Sequence, residues 1–245
     1  MKEMNMKNSL LFFGIPGISI FFMFDWGYEK LINWDIPVHW STFMCLWGPM
    51  LIMISFVLVR FFMSGLDFTN YFSIGKLNKK QVLIVIGAFL VVQILEALLS
   101  SSRPLLASLQ GFQVPSYYPD IFRLDMELKV PLETFLGMKL KGNTFPIFFW
   151  LLWLITNIGC EELLWRGYAL PRMEKFFGRW AWLVNGLLWN IFIHLFMRWS
   201  FITLIPVTLI VPYLCQKYKS IWPGVLIHGL GNSLLFALLI PSVFN

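Results

Sequence analysis

Seven apolar runs dominate the chain: 9–24, 41–59, 81–102, 145–168, 180–197, 201–216 and 222–244. A membrane-crossing helix needs about 20 mostly apolar residues, within a range of about 17–25. Runs 41–59 and 201–216 hold no charged residue, and 81–102 holds only Glu96. Runs 180–197 and 222–244 are also uncharged, but the first carries Asn185, Asn190 and His194 and the second carries His228 and Asn232. Run 145–168 begins apolar and then reads Glu161-Glu162-x-x-x-Arg166. Run 9–24 is short and borders an aromatic zone (Trp26, Tyr28, Trp34) of the kind found at lipid headgroups. Lys2 and Lys7 before it give the outline of a signal peptide, but no small-x-small cleavage site follows, so it reads as the first span. The runs predict an all-α, polytopic transmembrane helical bundle of about seven spans. Residues 1–144 supply N-terminal spans and a long loop, and residues 145–244 a helical core.

Composition narrows the class further. The chain is 58% hydrophobic and 13% charged, whereas a soluble domain carries about 25% charged residues. Too few charges remain to cover a water-facing surface, which removes soluble enzymes, nucleic-acid readers and disordered scaffolds from consideration. The net charge of +6 instead orients helices. With the N-terminus inside, 12 of the 19 Lys and Arg residues fall on the cytoplasmic side and 7 outside. Five of those seven (Arg103, Arg123, Lys129, Lys139, Lys141) sit in one long loop, and long loops count less in the rule. The C-terminus is then outside. Cys45, Cys160 and Cys215 form neither a disulfide framework nor a zinc motif. The loop 103–144 is too long for a plain connection and is a candidate cap or interfacial segment.

Ionisable residues inside a span cost at least about 2.5–3.5 kcal/mol each at the helix centre, so they are functional candidates by default. Here they gather in Glu161-Glu162-x-x-x-Arg166, Asn190-x-x-x-His194 and His228-x-x-x-Asn232. At about 100° per residue, Glu162 and Arg166 share a helix face with the acid N-terminal to the base, the favourable order for an intrahelical ion pair. Glu161 points about 100° away and is left for chemistry. Three helices can thus present a carboxylate, two imidazoles and amides to one interior. A desolvated carboxylate is a stronger base than a hydrated one and suits water activation, with a histidine sharing or orienting the water. A second histidine with an amide N–H can stabilise the oxyanion of a tetrahedral intermediate. Glu161, His194 and His228 equally form a three-ligand zinc set with an open position, so a metal-free and a zinc-assisted hydrolysis both stay open.

These residues resemble a known family. Glu161-Glu162-Leu163-Leu164-Trp165-Arg166-Gly167-Tyr168-Ala169-Leu170-Pro171-Arg172 is similar to the first signature of the CPBP family, the CAAX proteases and bacteriocin-processing (Abi) enzymes, typified by CAAX prenyl protease 2. His228-Gly229-Leu230-Gly231-Asn232 is similar to its HxxxN motif. The resemblance spans roughly residues 145–240. The second motif departs: the family has Phe four residues before its histidine, where this chain has Asn190, with Trp189 one residue earlier. On an ordinary helix that offset rotates the aromatic by about 100°, so Trp189 need not fill the family's aromatic position, and the aromatic's role stays open, with Asn190 as a further polar group beside the site. The resemblance implies an intramembrane endopeptidase of the cell membrane. It assigns Glu161 and His194 to water activation, His228 and Asn232 to the oxyanion, and Glu162 and Arg166 to support.

The partners expected are a peptide or membrane-associated protein substrate and the lipid bilayer, with no nucleic acid. Two other classes compete: a non-catalytic immunity or scaffold protein of the same fold, and a small proton-coupled transporter. Against the transporter, the polar residues crowd into one half of the chain rather than into paired inverted halves. Glu96 is expected to pair with a neighbouring helix rather than to line a substrate path.

Overall fold

Asn5 sets the start of the first helix, its side chain accepting from the Asn8 N–H at 3.0 Å. The computed structural model describes residues 2–124 and 130–245, and these are helical almost throughout. Lys129, counted above among the outer cations, lies outside the described residues. Helix α1 (Met6–Phe22) runs through a π-helical turn, Met23–Gly27, into α2 (Tyr28–Asn33). Helices α3 (Val38–Phe62), the one-turn α4 (Phe68–Tyr71) and α5 (Lys79–Leu99) follow. A reciprocal capping box fixes the start of α5: Asn78 accepts from the Gln81 N–H and Gln81 accepts from the Asn78 N–H. After the short α6 (Ser102–Ala107) and the long loop come α7 (Phe145–Glu161), α8 (Leu170–Phe177) and α9 (Ala181–Leu188). Helices α10 (Ile205–Tyr218), α11 (Trp222–Ser233) and α12 (Phe236–Phe244) complete the chain. Proline opens α7, α10 and α11 in the first turn, where its missing N–H costs nothing.

The outward faces are apolar. Along α5 only Val85 and Val92 are buried, while Leu83, Leu90, Ile94 and Leu98 are exposed. Ile52, Phe56, Val59 and Phe62 are exposed on α3. Such contiguous apolar surface is a liability in water and the natural outer surface in lipid. An all-α membrane bundle is the architecture observed.

Five helical stretches, rather than seven, are long and apolar enough to cross a membrane: Met6–Asn33, Val38–Phe62, Lys79–Leu99, Phe145–Ile193 and Trp222–Phe244. Two physical reasons account for the difference. The runs 145–168 and 180–197 are joined into one 49-residue stretch counted once, but it folds back on itself near Gly178, where φ is +55°, so the two runs remain two legs of a hairpin. Contacts on either side of that turn pair antiparallel: Asn185 donates to the Trp165 carbonyl at 2.9 Å and Trp189 to Glu161 at 2.6 Å. The run 201–216 shortens to the 14-residue α10, about 21 Å long against a hydrocarbon core of about 30 Å.

The segment between α6 and α7 folds onto the bundle. It contains a two-stranded antiparallel ribbon, β1 (Thr134–Phe135) with β2 (Met138–Lys139), turned at Leu136 and Gly137, both with positive φ. Tyr118, Phe122, Phe135, Leu136 and Leu140 are buried. Phe135 meets Trp150 of α7 edge-on at 5.7 Å. The Leu132 N–H donates to Ser242 Oγ and the Gly142 N–H to the Val243 carbonyl, both at 2.8 Å, fastening the segment to α12.

Candidate active site

Helix α7 brings Asn157 and Glu161 onto one face, four residues apart, both buried. Beyond Glu161 the helix widens into a π-helical segment, Glu162–Ala169. Glu162 and Arg166 are fully withdrawn from solvent, with Arg166 Nε 3.6 Å from Glu162 Oε2. The other carboxylate oxygen, Glu162 Oε1, lies 3.2 Å from His228 Nδ1. Burying ions costs several kcal/mol each unless they are well paired. Here the carboxylate is shared between two basic groups, and the guanidinium carbon stands 3.6 Å from the centroid of the Trp189 ring. A desolvated cation–π contact of this kind contributes about 2 kcal/mol or more. The closeness of α11 depends on Gly224, since a Cβ there would run into the Glu162 carboxylate.

The WRGYALPR extension packs this region against the N-terminal helices. Trp165 is fully buried and stacks on Phe13 of α1 at 4.5 Å. Gly167 lies against the Phe72 carbonyl, leaving no room for a Cβ. Arg172 donates to the Tyr168 carbonyl at 2.7 Å and its guanidinium lies over the Tyr168 ring.

Trp189 joins the site despite the offset. Residues Trp189–Ile193 are π-helical, and i→i+5 bonding brings residues five apart onto one face. The extra residue between aromatic and histidine is thereby absorbed: the Trp189 and His194 rings meet at 5.2 Å and 60°. The Trp189 ring also meets His228 at 5.7 Å, and its N–H donates to Glu161 Oε2 at 2.6 Å. Asn190, expected to add a polar contact, is turned elsewhere and donates to the Phe201 carbonyl at 3.0 Å. Helix α1 packs on this segment, with Gly17 directly against the Phe192 backbone.

On α11, Asn232 Nδ2 donates to the His228 backbone carbonyl at 3.0 Å, and the Asn232 backbone carbonyl accepts from the Trp150 indole N–H at 3.2 Å. Glu161, His194, His228 and Asn232 all line one cavity of about 550 Å³, a size typical of ligand pockets, which run from about 300 to 1,000 Å³. Asn157, Trp189, Gln93 and Glu96 share its wall, and Ile121 and Phe122 of the long loop cover part of it. Glu162 and Arg166 lie behind the wall. Glu96, expected to pair with a neighbouring helix, faces this cavity and interacts electrostatically with His228 of neighbouring α11, though it forms no salt bridge among the described residues. Among the described residues no three His, Cys, Asp or Glu side chains converge as a metal site, so Glu161, His194 and His228 do not form a ready zinc set in this arrangement.

Three residues of the site escaped the sequence reading. Asn157 had a signal, an amide one helical turn before Glu161 in an otherwise apolar run. Gln93 had the same relation to Glu96. Gly224 had none, because its importance is a contact with a distant segment.

Residues 143–234 match the family model described as Rce1-like, the type II CAAX prenyl endopeptidases. Over these residues the chain is similar to that family. The match runs from just before α7 to just after α11 and contains the whole polar cluster except Gln93 and Glu96. It agrees with the CPBP resemblance carried by the three motifs, and it identifies a protease family. Comparison with curated proteins and with solved structures gives no match. Around the matched residues, α1, α3 and α5 supply the apolar helices of a membrane protein.

Proposed function

We propose that this chain is an endopeptidase of the cell membrane, hydrolysing a peptide bond of a peptide or membrane-associated protein by side-chain-activated water. The observation that carries the reading is the shared cavity: a carboxylate, two imidazoles and an amide from three separate helices line one pocket within the region similar to the Rce1-like family.

The chemistry follows from what each atom has left to do. Glu161 Oε2 is engaged by the Trp189 N–H, which orients the carboxylate and leaves Oε1 for water. Glu161 takes the water proton as the oxygen attacks the scissile carbonyl, and His194 orients that water. The carbonyl π electrons move to oxygen, and His228 with Asn232 faces the resulting oxyanion. Because His228 Nδ1 is bonded to Glu162, Nε2 is the ring atom left for substrate; it donates when the ring is protonated, and Glu162 balances that charge. Collapse of the tetrahedral intermediate breaks the C–N bond, and Glu161 returns its proton to the leaving amine. Arg166 fixes Glu162 from behind and Trp189 from its face. No step is routed through a metal.

Detergent-purified protein tested against a quenched peptide library decides the matter. Cleavage by wild type and its loss in Glu161→Gln supports hydrolysis. No cleavage under any condition, with Glu161→Gln still functional in cells, refutes it and favours the scaffold alternative.

A further inference from the structure

Gln93 and Glu96 are the only polar residues of α5 after Gln81, three positions apart and so on one helix face. Most of the rest of that helix faces outward, Val85 and Val92 being its buried residues. Both polar side chains turn into the cavity that holds the candidate catalytic set. Two contacts place them against α11: a Cβ on Gly231 would lie 3.8 Å from Gln93 Nε2, and Glu96 interacts electrostatically with His228. The remainder of the cavity wall is predominantly apolar and, among the described residues, includes no Lys or Arg. Arg166, the nearest buried guanidinium of the cluster, is committed to Glu162 and Trp189 behind the wall.

A carboxylate in an apolar, membrane-embedded cavity is costly without a counter-charge. The hydrolytic scheme does not use Glu96, no Lys or Arg among the described residues of the cavity wall answers it, and His228, which Glu96 feels electrostatically, is already bonded to Glu162. A cation entering the cavity would give this carboxylate a partner of its own. We infer that Glu96, assisted by the Gln93 amide, forms a cation-reading subsite selecting substrates with a lysine or arginine side chain close to the scissile bond, between apolar neighbours that fill the rest of the wall. This inference rests on the hydrolytic reading above. The amide of Gln93 accepts one N–H of the incoming cation while the carboxylate of Glu96 takes another, a pattern that fits Arg or Lys and repels Asp or Glu.

The test uses the full-length protein in detergent and apolar quenched peptides carrying Lys, Gln or Glu at each position flanking the cleaved bond. The readout is the ratio of kcat/KM for the Lys peptide to that for the Gln peptide, which does not depend on the fraction of enzyme that is folded. Wild type is expected to favour Lys at one position, and Glu96→Gln to lower that ratio by roughly 10- to 100-fold, the range for a charge-assisted hydrogen bond. Glu96→Lys is expected to turn the preference toward the Glu peptide. A wild-type ratio near one at every position, or a ratio unchanged by Glu96→Gln, overturns the subsite while leaving hydrolysis standing. Failure of wild type to cleave any peptide overturns the hydrolytic reading, and the subsite falls with it.

Discussion

Replacing Gly224 by alanine adds one methyl group at the tightest approach in the site. The new carbon would occupy the position of the Glu162 carboxylate, so that carboxylate must move or α11 must back away. Either response weakens the 3.2 Å contact to His228 and the 3.6 Å contact to Arg166 together. Disrupting a buried ion pair in this way costs about 3–5 kcal/mol, because the partner charges stay buried without compensation. Gly224→Ala is therefore expected to destabilise the detergent-solubilised protein by that amount and to abolish cleavage. A double-mutant cycle isolates the cause. Glu162→Ala costs a similar amount by itself, but it empties the space that the methyl group needs. The double variant should then be no less stable than Glu162→Ala alone, a coupling of about 3 kcal/mol between residues in contact. Additive losses in the denaturation measurement would refute the argument that the clash is with the carboxylate, and so would an unperturbed Gly224→Ala.

Three further outcomes follow from the same geometry. Glu161→Gln keeps an oxygen for the Trp189 N–H but removes the base, so cleavage should fall by about 10²- to 10⁴-fold with the thermal midpoint little changed. Trp189→Phe keeps an aromatic face for Arg166 but deletes the donor to Glu161; a loss of about 1.5–3 kcal/mol in kcat/KM is expected from peptide cleavage rates. Chelator treatment of purified protein should leave cleavage intact, and activity lost to chelator and restored by zinc would replace the side-chain scheme with a metal-assisted one.

The motif residues were legible because charge is so scarce in these runs. Glu161, Glu162 and Arg166 stand out in apolar sequence, and their spacing on an ordinary helix already separates a paired acid from an unpaired one. The place of Trp189 was not legible, because an ordinary helical period leaves it about 100° from the family's aromatic position. A π-helical turn changes that period locally, and nothing in the residue types from Trp189 to Ile193 announces it. The link between two of the runs was hidden for a related reason: Gly178 permits a tight reversal that joins 145–168 and 180–197 into one continuous helical hairpin. Glu96 was given a helix partner because lone charges in spans usually have one, but which way α5 turns its polar face is decided by packing against distant helices. Gly224 is the extreme case, since its role exists only once α11 meets Glu162.

The reversal at Gly178 also orders events in the life of the chain. The acid and the indole that orients it lie 28 residues apart, within one hairpin, whereas Glu162 and His228 are separated by 66 residues. Closing the larger loop costs only about 0.6 kcal/mol more per doubling of length, so entropy hardly ranks the two. Emergence from the ribosome does, because α11 is made after the hairpin is complete. A nascent chain can therefore hold Glu161 against Trp189 while Glu162 and Arg166 still wait for the second histidine. On the proposed chemistry, the growing protein carries a water-activating half-site with nothing to stabilise an oxyanion, and it stays inert toward neighbouring polypeptides until its last helices are in the bilayer.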